Sequence, residues 1–282
     1  MGTLIDGKAA AAAYGVTLKE RIETWTQGSG IQPGLAVVLC GEDPSSKVYV
    51  NNIVKKCTEL GVAVTKHLVD PAEGTEALRQ QVLALNADPA VHGIIVQFPL
   101  PKTLDEKLIR ETVAPEKDVD SAGSANIGRL YAGLEGFVPC TPKGMMLLLK
   151  SLNLNLSGLH GVVVGRSNVV GKPVAQLMLN ENMTVTICHS RTKDLAAITA
   201  QADVLMTGVG VAEMIGPDHI KEGAVVIDAG INVTETGIVG DVAWKACLEK
   251  AGAITPVPGG VGPTTNLMLA ENTLEACMRQ CG

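Results

Sequence analysis

Aromatic residues are scarce in this chain of 282 residues, which has two Trp, three Tyr and two Phe. Platforms for stacking bases cannot be assembled from so few rings, and a formal net charge of −6 leaves no basic face for a phosphate backbone. No nucleic-acid partner is expected. Disulfide signals are missing too: Cys40, Cys57, Cys140, Cys188, Cys247, Cys277 and Cys281 include no C-x-x-C pair, and their odd number gives no closed framework. Reduced thiols in a cytosol fit that usage, so a cytoplasmic protein is expected. The five histidines are equally dispersed and nothing has metal-ligand spacing, so no metal is expected. No apolar run approaches the roughly 18 residues of a membrane span. The opening MGTLIDGKAA lacks the basic start and apolar centre of a signal peptide, and no membrane partner is expected.

What is present is Val, Leu, Ile and Ala in alternating helical and strand patterns, over a length that suits two domains. Helices are expected near 7–27, 44–60 and 75–86, interleaved with strands near 34–40, 62–69 and 92–97. Residues 98–140 break the rhythm with FPLPK, APEKD, SAGSANIG and VPCTPKG, and should hold site loops and a domain boundary. A second set follows, with helices near 142–152, 172–181 and 193–200 and strands near 161–165, 183–188, 203–207, 224–228 and 253–257. The last helix, 266–279, carries an apolar face that should return to the first domain. The pattern is α/β throughout: one domain over 1–139 and 266–282, and a second over 140–265 with a Rossmann-type parallel sheet.

The stretch VVVGRSNVVGKP, residues 162–173, has the outline of an anion site. A β-branched run breaks at Gly165, and Gly171-Lys172-Pro173 opens a helix whose free N–H groups attract phosphate. Ser167 and Val170 stand where G-x-G-x-x-G wants glycines, so an ordinary strand-turn-helix reads equally well from this segment alone. The next strand, MTVTIC, ends in His189-Ser190-Arg191 with no carboxylate for a ribose hydroxyl. Arg191 and Arg166 can instead pair with a 2′-phosphate, which favours NADP over NAD, unless both are solvated surface residues.

Together, YVNN…KKC, QFPLP, PEKDVDS, PCTPKG, VVVGRSNVVGKP, VTICHSRT, GAVVIDAGIN and PVPGGVGPTT resemble the methylenetetrahydrofolate dehydrogenase/methenyltetrahydrofolate cyclohydrolase family, in order and over nearly the whole chain. The resemblance implies a homodimer of two-domain subunits, with a folate in the cleft between a catalytic domain and an NADP domain. It implies NADP-dependent oxidation of 5,10-methylenetetrahydrofolate, followed by hydrolysis to 10-formyltetrahydrofolate. It assigns Tyr49 to stacking on the substrate, Asp120 to accepting from the pterin edge, Gln97 to the catalytic group, and Pro258, Gly259 and Gly260 to a loop beside the substrate. Gly165, Arg166, Ser167, Ser190, Arg191 and Ile231 are the implied cofactor contacts. Asp118, two residues before Asp120, reads as a loop cap or a solvated charge.

Three positions depart from the family pattern. Ile53 replaces the lysine of Y-x-x-x-K that the resemblance assigns to hydrolysis, and an isoleucine can neither organise water nor carry a proton. Lys56 lies on nearly the same helix face, about 4.5 Å farther along the axis, and could return an amine. Ser121 stands in place of a glycine and Thr264 in place of a methionine. A non-catalytic folate or dinucleotide binder, or a partner subunit, is the competing expectation; a dehydrogenase for an amino or hydroxy acid would not explain QFPLP and DVDS together.

Overall fold

The computed structural model describes residues 2–235 and 237–282. In chain order the elements are β1 (Thr3–Leu4), α1 (Gly7–Ser29), β2 (Gly34–Cys40), α2 (Pro44–Glu59), β3 (Ala63–Val69), α3 (Gly74–Ala87), β4 (Gly93–Val96), α4 (Glu106–Thr112), α5 (Ser124–Ala132) and α6 (Cys140–Lys150). They continue with β5 (His160–Val164), α7 (Gly171–Asn180), β6 (Thr184–Cys188), α8 (Leu195–Thr199), β7 (Val204–Thr207), β8 (Val225–Asp228), β9 (Asn232–Thr234), β10 (Gly237–Val239), α9 (Trp244–Cys247), β11 (Ala253–Ile254) and α10 (Gly262–Cys281).

Two compact units divide the chain: 14–140 with 266–282, and 1–13 with 141–265. In the first, β2 lies between β3 and β4 in a parallel sheet. All seven residues of β2, GLAVVLC, are buried, as expected of a strand covered on both faces. A bridge between Ile94 and Asp118 lays the following loop along β4, and Asn272 Nδ2 of α10 donates to Val119 O at 2.7 Å and Val138 O at 2.9 Å. The last helix therefore packs on this unit.

In the second unit six parallel strands run in the order β1-β11-β8-β7-β5-β6. The order reverses between β5 and β7, which makes their carboxyl ends the crevice where such sheets bind ligands. Here the division differs from the expected one: residues 1–13 join this unit. Thr3 and Leu4 pair with Ala253 and Ile254, and a side chain at Gly7 would collide with Gly260 O. Two residues are too short to show a strand pattern, and their partner lies about 250 positions away in sequence. The irregular 98–140 region also contains two helices, α4 and α5, that the prolines and glycines around them conceal.

Candidate functional site

In the first unit, α2 begins with Pro44 behind Asp43, whose carboxylate accepts from Ser46 N at 2.7 Å. The helix buries Val50, Ile53 and Cys57 on one face and carries Tyr49 at its edge. Tyr49 keeps 36% of its surface open. Its phenol is nonetheless crowded by protein, and that burial, joined by the Asp120 charge, raises its pKa. Asp120 is shielded from water as well, which raises its carboxyl, while the Cys140 thiol and N–H and the Arg110 charge oppose the rise. Cys140 N donates to Asp120 Oδ1 at 3.4 Å.

Gln97 follows β4 at its carboxyl end, beside the end of β2 where this sheet reverses order, and its Nε2 donates to Phe98 O at 2.8 Å. Asp118 is a loop cap, accepting from Ala122 N and Gly123 N at 3.0 Å each. Burial pushes its carboxyl up to about 6. Ser121 is fully buried at φ 51°, in the left-handed region, and its Oγ has no hydrogen-bond partner among the described residues. Its backbone conformation gives a physical reason for a glycine at this position.

Ile53 is wholly enclosed. Lys56 Nζ lies 3.7 Å from Glu59 Oε2, with 38% of its side chain exposed. The structure thus brings Tyr49 and Asp120 into electrostatic contact and pairs the Lys56 ammonium with a neighbouring carboxylate.

In the second unit, β5 ends at Gly165, φ 132°, where a Cβ would stand 2.7 Å from Gly208 O at the end of β7. A side chain at Gly171 would strike Gly165 O at 2.2 Å. Both glycines are required by the close passage of backbone at the switch point. Ser167 Oγ accepts from Val170 N at 3.1 Å and Gly171 N at 3.3 Å, satisfying donors at the start of α7. Val164 and Cys188 are register partners, so Arg166 and Arg191 emerge from adjacent strands at the same end. Both arginines are exposed, and Arg191 N donates to His189 Nδ1 at 3.1 Å. Ser190 is exposed in the same turn.

Beyond β8, a cavity of about 240 Å³ is lined by Ile231, Pro258, Gly259, Gly260 and Lys8. Gly259 has φ 111°, and a side chain at Gly260 would stand 2.7 Å from Pro256 O. Beneath the cavity, Asp228 accepts from Thr207 Oγ1, Gly230 N and Val242 N. Asp241 accepts from Val209, Gly210 and Val211 N–H groups. These two buried carboxylates fix the loops after β7 and β8. Sequence reading overlooked them, along with Cys140 and Lys8, because a buried acid and an ordinary helix-start lysine carry no spacing signal. A larger cavity of about 650 Å³, between Arg21, Trp25, Leu274 and Met278, holds none of the expected site residues.

A reversing parallel sheet, glycine-only turns at its switch point and a helix N-terminus behind them define a dinucleotide-binding α/β protein. The comparisons with known proteins give the particular class. Residues 5–120 match the catalytic domain of tetrahydrofolate dehydrogenase/cyclohydrolase and residues 139–281 its NAD(P)-binding domain. The chain belongs to the tetrahydrofolate dehydrogenase/cyclohydrolase family and is an enzyme of that class. It is 51% identical over 277 residues to the bifunctional protein FolD of Moorella thermoacetica, covering 98% of this chain and 99% of that one. The bifunctional FolD of Campylobacter jejuni superposes with a TM-score of 0.96 at 43% identity, with 99% of each chain covered. The Trypanosoma brucei dehydrogenase-cyclohydrolase, solved with NADP and an inhibitor, gives 0.93 at 36% identity, with 99% of this chain and 98% of that one covered. Among the described residues no helix is long and apolar enough to cross a membrane.

Proposed function

We propose that this enzyme oxidises 5,10-methylenetetrahydrofolate with NADP and has lost the hydrolytic half of its family's chemistry. The observation that carries this reading is Ile53: an apolar side chain fills, without exposure to solvent, the position of the family lysine. Lys56 pairs with Glu59 instead of serving as a free amine, which supports loss over rescue.

The residues present fit NADP. Glycines at 165 and 171 leave room only for backbone, the N-terminus of the ten-residue α7 lies behind them, and two exposed guanidiniums flank the turn. Arg166 and Arg191 would hold a 2′-phosphate, Ser190 would donate to it, and Ser167 would release its helix N–H groups to the pyrophosphate. Ile231 and the Pro258–Gly260 loop would form an apolar wall for the nicotinamide. The dinucleotide, when bound, supplies the acceptor for the hydride.

Tyr49 covers the folate's apolar face, with its hydroxyl kept protonated by burial beside Asp120. Asp120 accepts from the pterin's N–H edge, and Gln97 supplies a neutral polar contact at the end of β4. Hydride transfer needs such positioning more than a proton carrier, so it survives the change at 53. A homodimer, on the strength of the family resemblance, and a cytoplasmic location, on that of a cysteine usage suited to reduced thiols, complete the reading.

The test is a paired assay. With methylenetetrahydrofolate and NADP⁺ the protein should form the methenyl chromophore; given methenyltetrahydrofolate directly, it should hydrolyse it no faster than buffer, with Ile53→Lys restoring hydrolysis. Absence of methenyl product with either dinucleotide would overturn the dehydrogenase reading and favour a folate binder. Catalysed hydrolysis lost in Lys56→Ala would overturn the loss.

A further inference from the structure

The expectation that no metal ligands come together rested on spacing alone. In the folded chain His92, Cys277 and Cys281 converge, with Nε2 or Nδ1 of the histidine and both sulfurs within 4.8 Å of one another. The cysteines stand at i and i+4 on α10, and so share a face. His92 precedes β4 in the same unit. The C-x-x-x-C spacing becomes visible as a pair only once the helix is known.

Each sulfur faces its own N–H donor. Trp25 Nε1 donates to Cys277 Sγ at 3.3 Å. His92 Nδ1 accepts from Gly34 N at 2.9 Å, so the neutral ring carries its proton on Nε2, which stands 3.4 Å from Cys281 Sγ. The histidine is therefore a donor to sulfur and has no free lone pair for a metal. That argues against a zinc site, which would want four ligands where two sulfurs are grouped among the described residues. Two sulfurs within reach of each other, each supported by an N–H, suit a soft ion content with two thiolates.

We propose that Cys277 and Cys281 bind one thiophilic monovalent metal ion, copper(I), through their two sulfurs, with Trp25 and His92 as hydrogen-bond donors to those sulfurs. Cys281 is exposed and gives the ion its way in, while Cys277 is fully buried behind it. Burial raises the Cys277 thiol, and the Trp25 N–H opposes that rise. Binding breaks two S–H bonds, forms two metal–sulfur bonds and releases two protons; the copper stays monovalent. The resulting site bears one net negative charge, and the Lys117 ammonium, whose field already acts on His92, lies on the favourable side of that balance.

The experiment is an anaerobic competition of the full chain against a chromogenic copper(I) chelator. The wild type should withdraw one equivalent, with a thiolate-to-copper band in the near ultraviolet. Cys281→Ala and Cys277→Ala should each lose that equivalent, and Trp25→Phe should weaken it about 10- to 100-fold, as loss of a supporting donor does. Cys281→Ala alters an exposed side chain, and its unchanged dehydrogenase activity serves as the control for folding. Failure of the wild type to take copper from the chelator would overturn the proposal, as would retention of the equivalent in both cysteine variants.

Discussion

Replacing Ser121 by glycine should stabilise the protein. Ser121 combines two costs in one residue: a backbone at φ 51° and a buried hydroxyl with no partner. The left-handed conformation costs a non-glycine residue about 1–2 kcal/mol. An orphaned polar group costs about 1–3 kcal/mol. Against this, glycine brings about 0.5–1 kcal/mol of extra chain entropy to be lost on folding. The balance is a gain of about 1–4.5 kcal/mol, which for a protein of this size corresponds to a rise in Tm of about 2 to 8 °C. Thermal unfolding followed by circular dichroism, wild type beside Ser121→Gly, reads it directly. An unchanged or lower Tm would refute the reasoning, for it would mean that the hydroxyl has a partner that offsets the backbone cost.

Arg191→Ala should lower kcat/KM with NADP by about 10- to 100-fold relative to NAD, since a charge-assisted contact contributes about 1.5–3 kcal/mol; an unchanged cofactor ratio would remove Arg191 from the phosphate site. Asp120→Ala should reduce kcat/KM for the folate by a similar factor, on the same warrant, while leaving the dissociation constant for NADP in place. Asp118 and Asp228 are both pushed up to about 6 by burial, above the ordinary carboxylate range. Protonation therefore favours the folded chain: their contribution is complete below about pH 4 and is lost as the pH rises through about 6. Denaturant melts between pH 4 and 6.5 should show that decline, flattened in Asp118→Asn, and a rise across the same window would contradict it.

Local chemistry made most of the framework readable in the sequence. The run GLAVVLC between turn residues marks β2 at its observed bounds, and Asp-Pro before an amphipathic stretch marks the start of α2. The turn at Gly165 was readable for the same reason, because the glycines it needs are adjacent in the chain. Contacts closed over long separations were not. The two-residue β1 is defined by its partner β11, and the proximity of Tyr49 to Asp120 came only through resemblance, since α2 and the loop along β4 meet by folding. The conformation of Ser121 and the grouping of His92 with two cysteines of the last helix leave no trace in spacing or periodicity.

The chain passes from one compact unit to the other three times, between 13 and 14, between 140 and 141 and between 265 and 266. Every one of these crossings falls inside a helix: α1, α6 and α10. Linkers that could be lengthened, cleaved or replaced without breaking helical hydrogen bonds are absent at those points. Neither unit is thus a portable cassette; a cofactor half cut out at those boundaries would end with severed turns in α1 and α10.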